Sequence, residues 1–103
     1  MHTIKIAHIS DTHISPDIYF KEDIFLKGLK MLRRLSPDLV IHTGDIVQDG
    51  LKDEYEMSRR YIEMLGDNTF YVIGNHDARN VGYELFENYV GKREMFFESE
   101  EFL

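Results

Sequence analysis

Three short clusters in the sequence combine residue types that bind cations or phosphate: Asp11-Thr12-His13, Gly44-Asp45 and Gly74-Asn75-His76-Asp77. Each follows an apolar run, and none is good core material. Asp11 and His13 are separated by one residue, so on an extended backbone they point the same way and offer an oxygen and a nitrogen to one point. Taken alone, that pair also reads as an Asx-type turn beside an exposed histidine. Asp45 follows a glycine where the chain must turn sharply, and Asp49-Gly50 closes the same loop as a turn. His42, just before it, reads as a structural histidine inside or beside the sheet. Asn75 and His76 stand past the third apolar run, while Asp77 orients His76, supports the ligands from behind, or faces solvent. Two carboxylates, an imidazole and an amide oxygen form a mixed oxygen and nitrogen set that suits Mn²⁺, Fe or Zn²⁺ better than a thiophilic ion. Asp45, on the middle segment, is the candidate to bridge two ions.

These clusters converge only if the elements before them are aligned. Residues 3 to 10 carry Ile4, Ile6 and Ile9, which suits a mostly buried strand. From Lys21 to Leu35 the period changes: Phe25, Leu29 and Leu32 form an apolar stripe flanked by Lys27, Lys30, Arg33 and Arg34, as in an amphipathic helix. Ser36-Pro37-Asp38 ends it. Leu39-Val40-Ile41 is a second strand, and Asp53 to Leu65 a second helix with Tyr55, Ser58, Ile62 and Leu65 inward. Phe70 to Ile73 is a third strand, Val81 to Tyr89 a third helix, and Met95-Phe96-Phe97 a fourth strand before the acidic stretch Glu98-Ser99-Glu100-Glu101. Strand, helix and strand joined by short loops make right-handed βαβ units with parallel strands, an α/β fold of βαβαβ order. In such a sheet the carboxyl ends of the strands share one edge, and ligands collect there.

The three clusters, in their order and spacing and with the strands before them, resemble the first three blocks of the calcineurin-like metallophosphoesterases. The wider wording, His8-Ile9-Ser10-Asp11-Thr12-His13 and Gly44-Asp45-Ile46-Val47-Gln48-Asp49-Gly50, looks most like the cyclic-nucleotide-phosphodiesterase-like branch. The resemblance implies one half of an α/β/β/α sandwich, a mainly parallel sheet flanked by helices, with a two-metal centre. By that carry-over Asp11 and His13 bind the first divalent ion, Asp45 bridges both, and Asn75 binds the second. His76 is then the acid that protonates the leaving oxygen, or a donor to the phosphoryl group. The implied activity is hydrolysis of a small phosphoester, a phosphodiester such as a (cyclic) nucleotide, by hydroxide activated between the two ions.

The family's later blocks, a lone histidine and a Gly-His-x-His segment, have no counterpart, since no histidine follows His76. The resemblance therefore covers nearly the whole chain but about the first half of the family domain. Gln48 and Asp49 stand where the protein-phosphatase branch carries an aspartate and an arginine, which disfavours that branch. Two alternatives stand beside a phosphoesterase or its N-terminal part: a non-catalytic remnant with a weak metal site, and a subunit completed by a partner chain or by dimerisation.

Composition sets the outer bounds. The 103 residues suffice for one partial domain spanning 1–103. A net charge of -7 argues against nucleic acid as a partner, because phosphate binding depends on clustered Lys and Arg. With no cysteine there is no disulfide, thiolate site or cysteine nucleophile. The N-terminus lacks a basic region before a long apolar run, so no signal peptide is expected, and no stretch approaches a membrane span. A soluble cytoplasmic protein is the expectation.

Overall fold

The structure, a computed structural model, describes residues 3–18 and 20–91. Three strands, β1 (Ile6–Ile9), β2 (Leu39–His42) and β3 (Thr69–Tyr71), form one parallel sheet in the order β1-β2-β3. Three helices, α1 (Glu22–Leu35), α2 (Lys52–Leu65) and α3 (Gly82–Tyr89), follow the strands in turn, which gives the βαβαβα order that the alternation of periods predicts. The expected strand at Met95-Phe96-Phe97 lies outside the described residues. Among the described residues no helix is long and apolar enough to cross a membrane.

Register decides which side chains meet the helices. Ile9 pairs with His42 and His42 with Tyr71, so these three share one face, as do Ala7, Val40 and Thr69. On that face Ile9 lines a cavity with Phe25, Leu29 and Leu32 of α1, and Val40 lines another with Leu29, Leu32, Met64 and Leu65. The opposite face is different. Ile6 is 52% exposed and Val72 is 50% exposed, so β1 is not the mostly buried strand that its isoleucines suggest. Parallel strands read as continuous apolar runs when both faces are covered; here the outward residues of β1 remain largely open.

The core lies instead under the loops and α2, where Ile14, Ile46, Val47, Tyr55, Tyr61 and Phe86 are fully buried. Of the stripe expected on α2, Tyr55 and Ser58 are fully buried and Ile62 and Leu65 are partly buried against the core, which the fully buried Tyr61 also joins. α1 begins with Glu22 and Asp23 and ends with Arg33 and Arg34, charges that complement its dipole. It stops at Ser36, whose left-handed φ of 46° sends its N–H back to the Leu32 carbonyl just before Pro37.

Candidate metal centre

Beyond the ends of β1 and β2 the two chains continue side by side. The amides of Asp11, His13 and Ile14 donate to the carbonyls of Gly44, Asp45 and Ile46 at 3.0, 3.0 and 2.7 Å. The backbone in this stretch is not extended: Asp11, His13 and Asp45 all adopt left-handed conformations, φ 57°, 48° and 54°. Asp11 and His13 thus reach a common point by alternate left-handed steps rather than by strand pleating. Non-glycine residues rarely occupy this region unless their surroundings hold them there, and such strain gathers at functional sites.

The result is one group. Asp11, His13 and Asp45 each present a ligand atom within 4.8 Å of the others. His13 Nε2 faces Asp11 Oδ1 at 3.5 Å, and His13 Nδ1 is buried with no hydrogen-bond partner among the described residues. Hydrogen bonding from Ser10, helped by Asp45 and His13, holds the Asp11 carboxyl below the usual carboxylate range. A deprotonated carboxylate, an imidazole left partly unsatisfied and a second carboxylate are a donor set that fits a borderline divalent ion.

The third cluster closes over this group. Gly44, φ 115°, lies so near Gly74 that an added Cβ would stand 2.8 Å from the Gly74 Cα. That close approach lets Asp45 Oδ1 accept the His76 amide at 2.9 Å. The His76 ring then meets His13 edge-on, with centroids 4.9 Å apart. His76 Nδ1 lies 2.6 Å from the Gln48 carbonyl. Because a carbonyl only accepts, Nδ1 carries the hydrogen and Nε2 is left to exchange a proton. Asn75 is exposed in the same loop, between Gly74 and His76. Asp11, His13 and Asp45 are therefore brought together with His76 beside them, and Asn75 flanks them.

Asp77 is not solvent-facing. It is fully buried, its Oδ1 accepting the Val47 amide and its Oδ2 the Gly74 amide, both at 2.9 Å. Burial pushes its carboxyl up, and the amides of Val47 and Gly74 oppose that shift. Its side chain thus ties the second loop to the third, while the Tyr55 hydroxyl of α2 donates to its carbonyl at 2.8 Å. His42 is structural, as its place in the strand suggests. It is fully buried, and burial pushes its pKa down to about 4. Its Nδ1 accepts the Gly44 amide at 3.2 Å, so Nε2 carries the hydrogen toward Thr12 Oγ1 at 3.0 Å. Two supports escape a sequence reading. Glu54, buried in α2, stands three residues after Leu51, but a leucine lacks the hydroxyl that completes the capping-box signature, so the sequence gives only half of that signal. The Gln48 carbonyl that holds His76 has no signal, being main chain.

Residues 4–102 match the family described as calcineurin-like phosphoesterase. Similar proteins include a probable glycerophosphodiester phosphodiesterase of Arcobacter nitrofigilis, 39% identical over 82% of this chain and 34% of the relative. A probable cyclic nucleotide phosphodiesterase of Moraxella catarrhalis is 35% identical over 75% of this chain and 28% of its own length. A 3',5'-cyclic-nucleotide phosphodiesterase of Nostoc sp. is 34% identical over 73% and 31%. The chain spans about a third of the length of these curated relatives.

Proposed function

The chain belongs to the calcineurin-like phosphoesterase family, and on that premise we propose that it is the metal-binding part of a phosphodiesterase acting on a small diester with two divalent ions. The observation that carries this reading is the convergence of Asp11, His13 and Asp45 within 4.8 Å, with the His76 ring against His13. When bound, divalent ions supply Lewis acidity at the phosphoryl oxygens and a nucleophilic water at neutral pH, so no protein nucleophile is needed. Asp11 and His13 would hold the first ion, Asp45 would serve both, and Asn75 would offer its amide oxygen to the second. His76 keeps Nδ1–H on the Gln48 carbonyl, takes up a second proton at Nε2 to become the imidazolium, and gives that proton to the leaving oxygen.

The substrate class rests on two supports. The relatives' names point to glycerophosphodiesters and cyclic nucleotides. Beside Asp11 and His13 opens a cavity of about 280 Å³ whose far wall is Lys21, Ile24 and Phe25. One cation and an apolar wall suit the non-reacting arm of a small organic phosphodiester. The test is metal-dependent hydrolysis of a chromogenic nitrophenyl phosphodiester. His76→Ala is expected to lower turnover by about 10²–10⁴-fold, the range of a general acid, and Asp45→Asn by at least as much. Robust turnover in both variants would overturn the assignment.

A second reading is that another chain or a second copy completes the site. It is favoured by the half-exposed Ile6 and Val72 on the outer sheet face. A well-folded, strictly monomeric species in sedimentation would count against it.

A further inference from the structure

The fully buried Glu54 has no part in the chemistry above, yet it is tied to the loop on which His76 depends. It sits in the first turn of α2, where a carboxylate ordinarily caps the helix by accepting the N–H of the residue before it. Its Oε1 does accept the Leu51 amide, at 3.0 Å. The same oxygen also accepts the Asp49 amide at 2.8 Å, two residues further out than a cap requires. Asp49 is the neighbour of Gln48, whose carbonyl takes the His76 Nδ1–H. The loop is held from its other side as well, because Arg79 Nη1 meets Asp49 Oδ1 at 3.0 Å and Asn80 Nδ2 donates to the Asp49 carbonyl at 3.0 Å. Those two contacts are exposed, and an exposed ion pair contributes little to rigidity. Gln48 donates its own N–H to the Ile14 carbonyl at 3.3 Å, and the buried carboxylate holds the peptide on its other side through the Asp49 and Leu51 amides.

We propose that Glu54 is a positioning residue for His76: by holding the Asp49 and Leu51 amides it keeps the Gln48 carbonyl on Nδ1 and so fixes the His76 tautomer. With the carbonyl in place, the ring hydrogen stays on Nδ1 and the Nε2 lone pair faces the metal side. Without it, the ring samples both tautomers and rotates about its side-chain bonds, and the hydrogen moves from Nδ1 to Nε2 for part of the time. That this tautomer serves proton delivery rests on the functional reading above; the fixation itself does not.

Nitrogen-15 labelling of the histidines in the metal-free chain tests this directly. In the wild type, the two His76 ring nitrogens are expected to show well-separated shifts, with Nδ1 protonated. Glu54→Ala is expected to draw the two shifts toward a common averaged value. Glu54→Gln, whose amide oxygen still accepts both N–H groups, is expected to restore the separation. His42 is the internal control, since its opposite tautomer is fixed by Gly44 and Thr12 and should not respond in either variant. An unchanged His76 pattern in Glu54→Ala overturns the proposal, and so does an equal collapse at His42, which would mark general loosening. Hydrogen exchange of the wild type gives an arm that needs no variant. The Asp49 and Leu51 amides should exchange about tenfold or more slowly than exposed backbone; unprotected amides there overturn the anchor. No arm uses turnover, so a failure here is separate from a failure of the phosphodiesterase reading.

Discussion

At the scale of single residues, the histidines divide by what their ring nitrogens touch. His13 and His76 sit edge to face beside two carboxylates, whereas His42 is sealed among Gly44, Thr12 and Tyr71. Sealing has a consequence for stability. The pKa of His42 falls from an ordinary 6.5 to about 4 in the folded state, because burial penalises the charged ring. Above 6.5 the ring is neutral whether folded or not, and it adds no pH dependence. As pH falls below 6.5 the unfolded chain takes up a proton that the folded chain refuses, so stability drops until the folded ring titrates near 4. The full span is worth about 3 kcal/mol. Urea unfolding between pH 7.5 and 5 should show the midpoint falling with pH, and His42→Asn should flatten that slope. A slope unchanged in the variant would place the titration elsewhere.

At the scale of elements, the three loops behave as one piece because backbone meets backbone. Gly44 fits against Gly74 only without a side chain and only at a φ of 115°. Gly44→Ala is therefore expected to destabilise the fold by about 2–4 kcal/mol, strain and overpacking together, measured as a lower urea midpoint. It should also separate Asp45 Oδ1 from the His76 amide, so metal affinity should fall with stability. Much of this scale was legible in the chain. The change of period between residues 21–35 and the apolar runs around them located the strands and helices, and glycine plus carboxylate at each strand end located the edge where they converge. Burial was harder to read. The isoleucines of β1 say that the strand is apolar, but only the register reveals that Ile6 lies on the outer face. Asp77 carries the same side chain whether it faces water or the Val47 and Gly74 amides, so its burial depends on a loop packing that no local pattern encodes. The left-handed backbone of Asp11, His13 and Asp45 likewise goes with the pairing of residues 11–14 and 44–46, which lie far apart in sequence.

At the scale of the whole molecule, the question is how many ions these elements can hold. The first position has three donors from two strand ends, Asp11, His13 and Asp45, already within 4.8 Å of one another. On the two-ion proposal, the second would have only Asp45, shared with the first, and the neutral amide of the exposed Asn75. A divalent ion of this kind ordinarily takes at least three protein ligands, so one position is nearly furnished and the other is not. The chain spans about a third of the length of its relatives, and among the described residues Asp11, His13 and Asp45 form the one such group of His and acidic side chains. Calorimetric titration of the metal-free chain with Mn²⁺ or Zn²⁺ is therefore expected to give one ion per chain. Asp11→Asn or His13→Ala should abolish that binding, because each removes one of only three donors. Asn75→Ala should leave the stoichiometry and affinity of the first ion nearly unchanged. Two tightly held ions in the wild type, falling to one in Asn75→Ala, would mean that the third loop supplies a firmer second position than an exposed amide and a shared carboxylate provide.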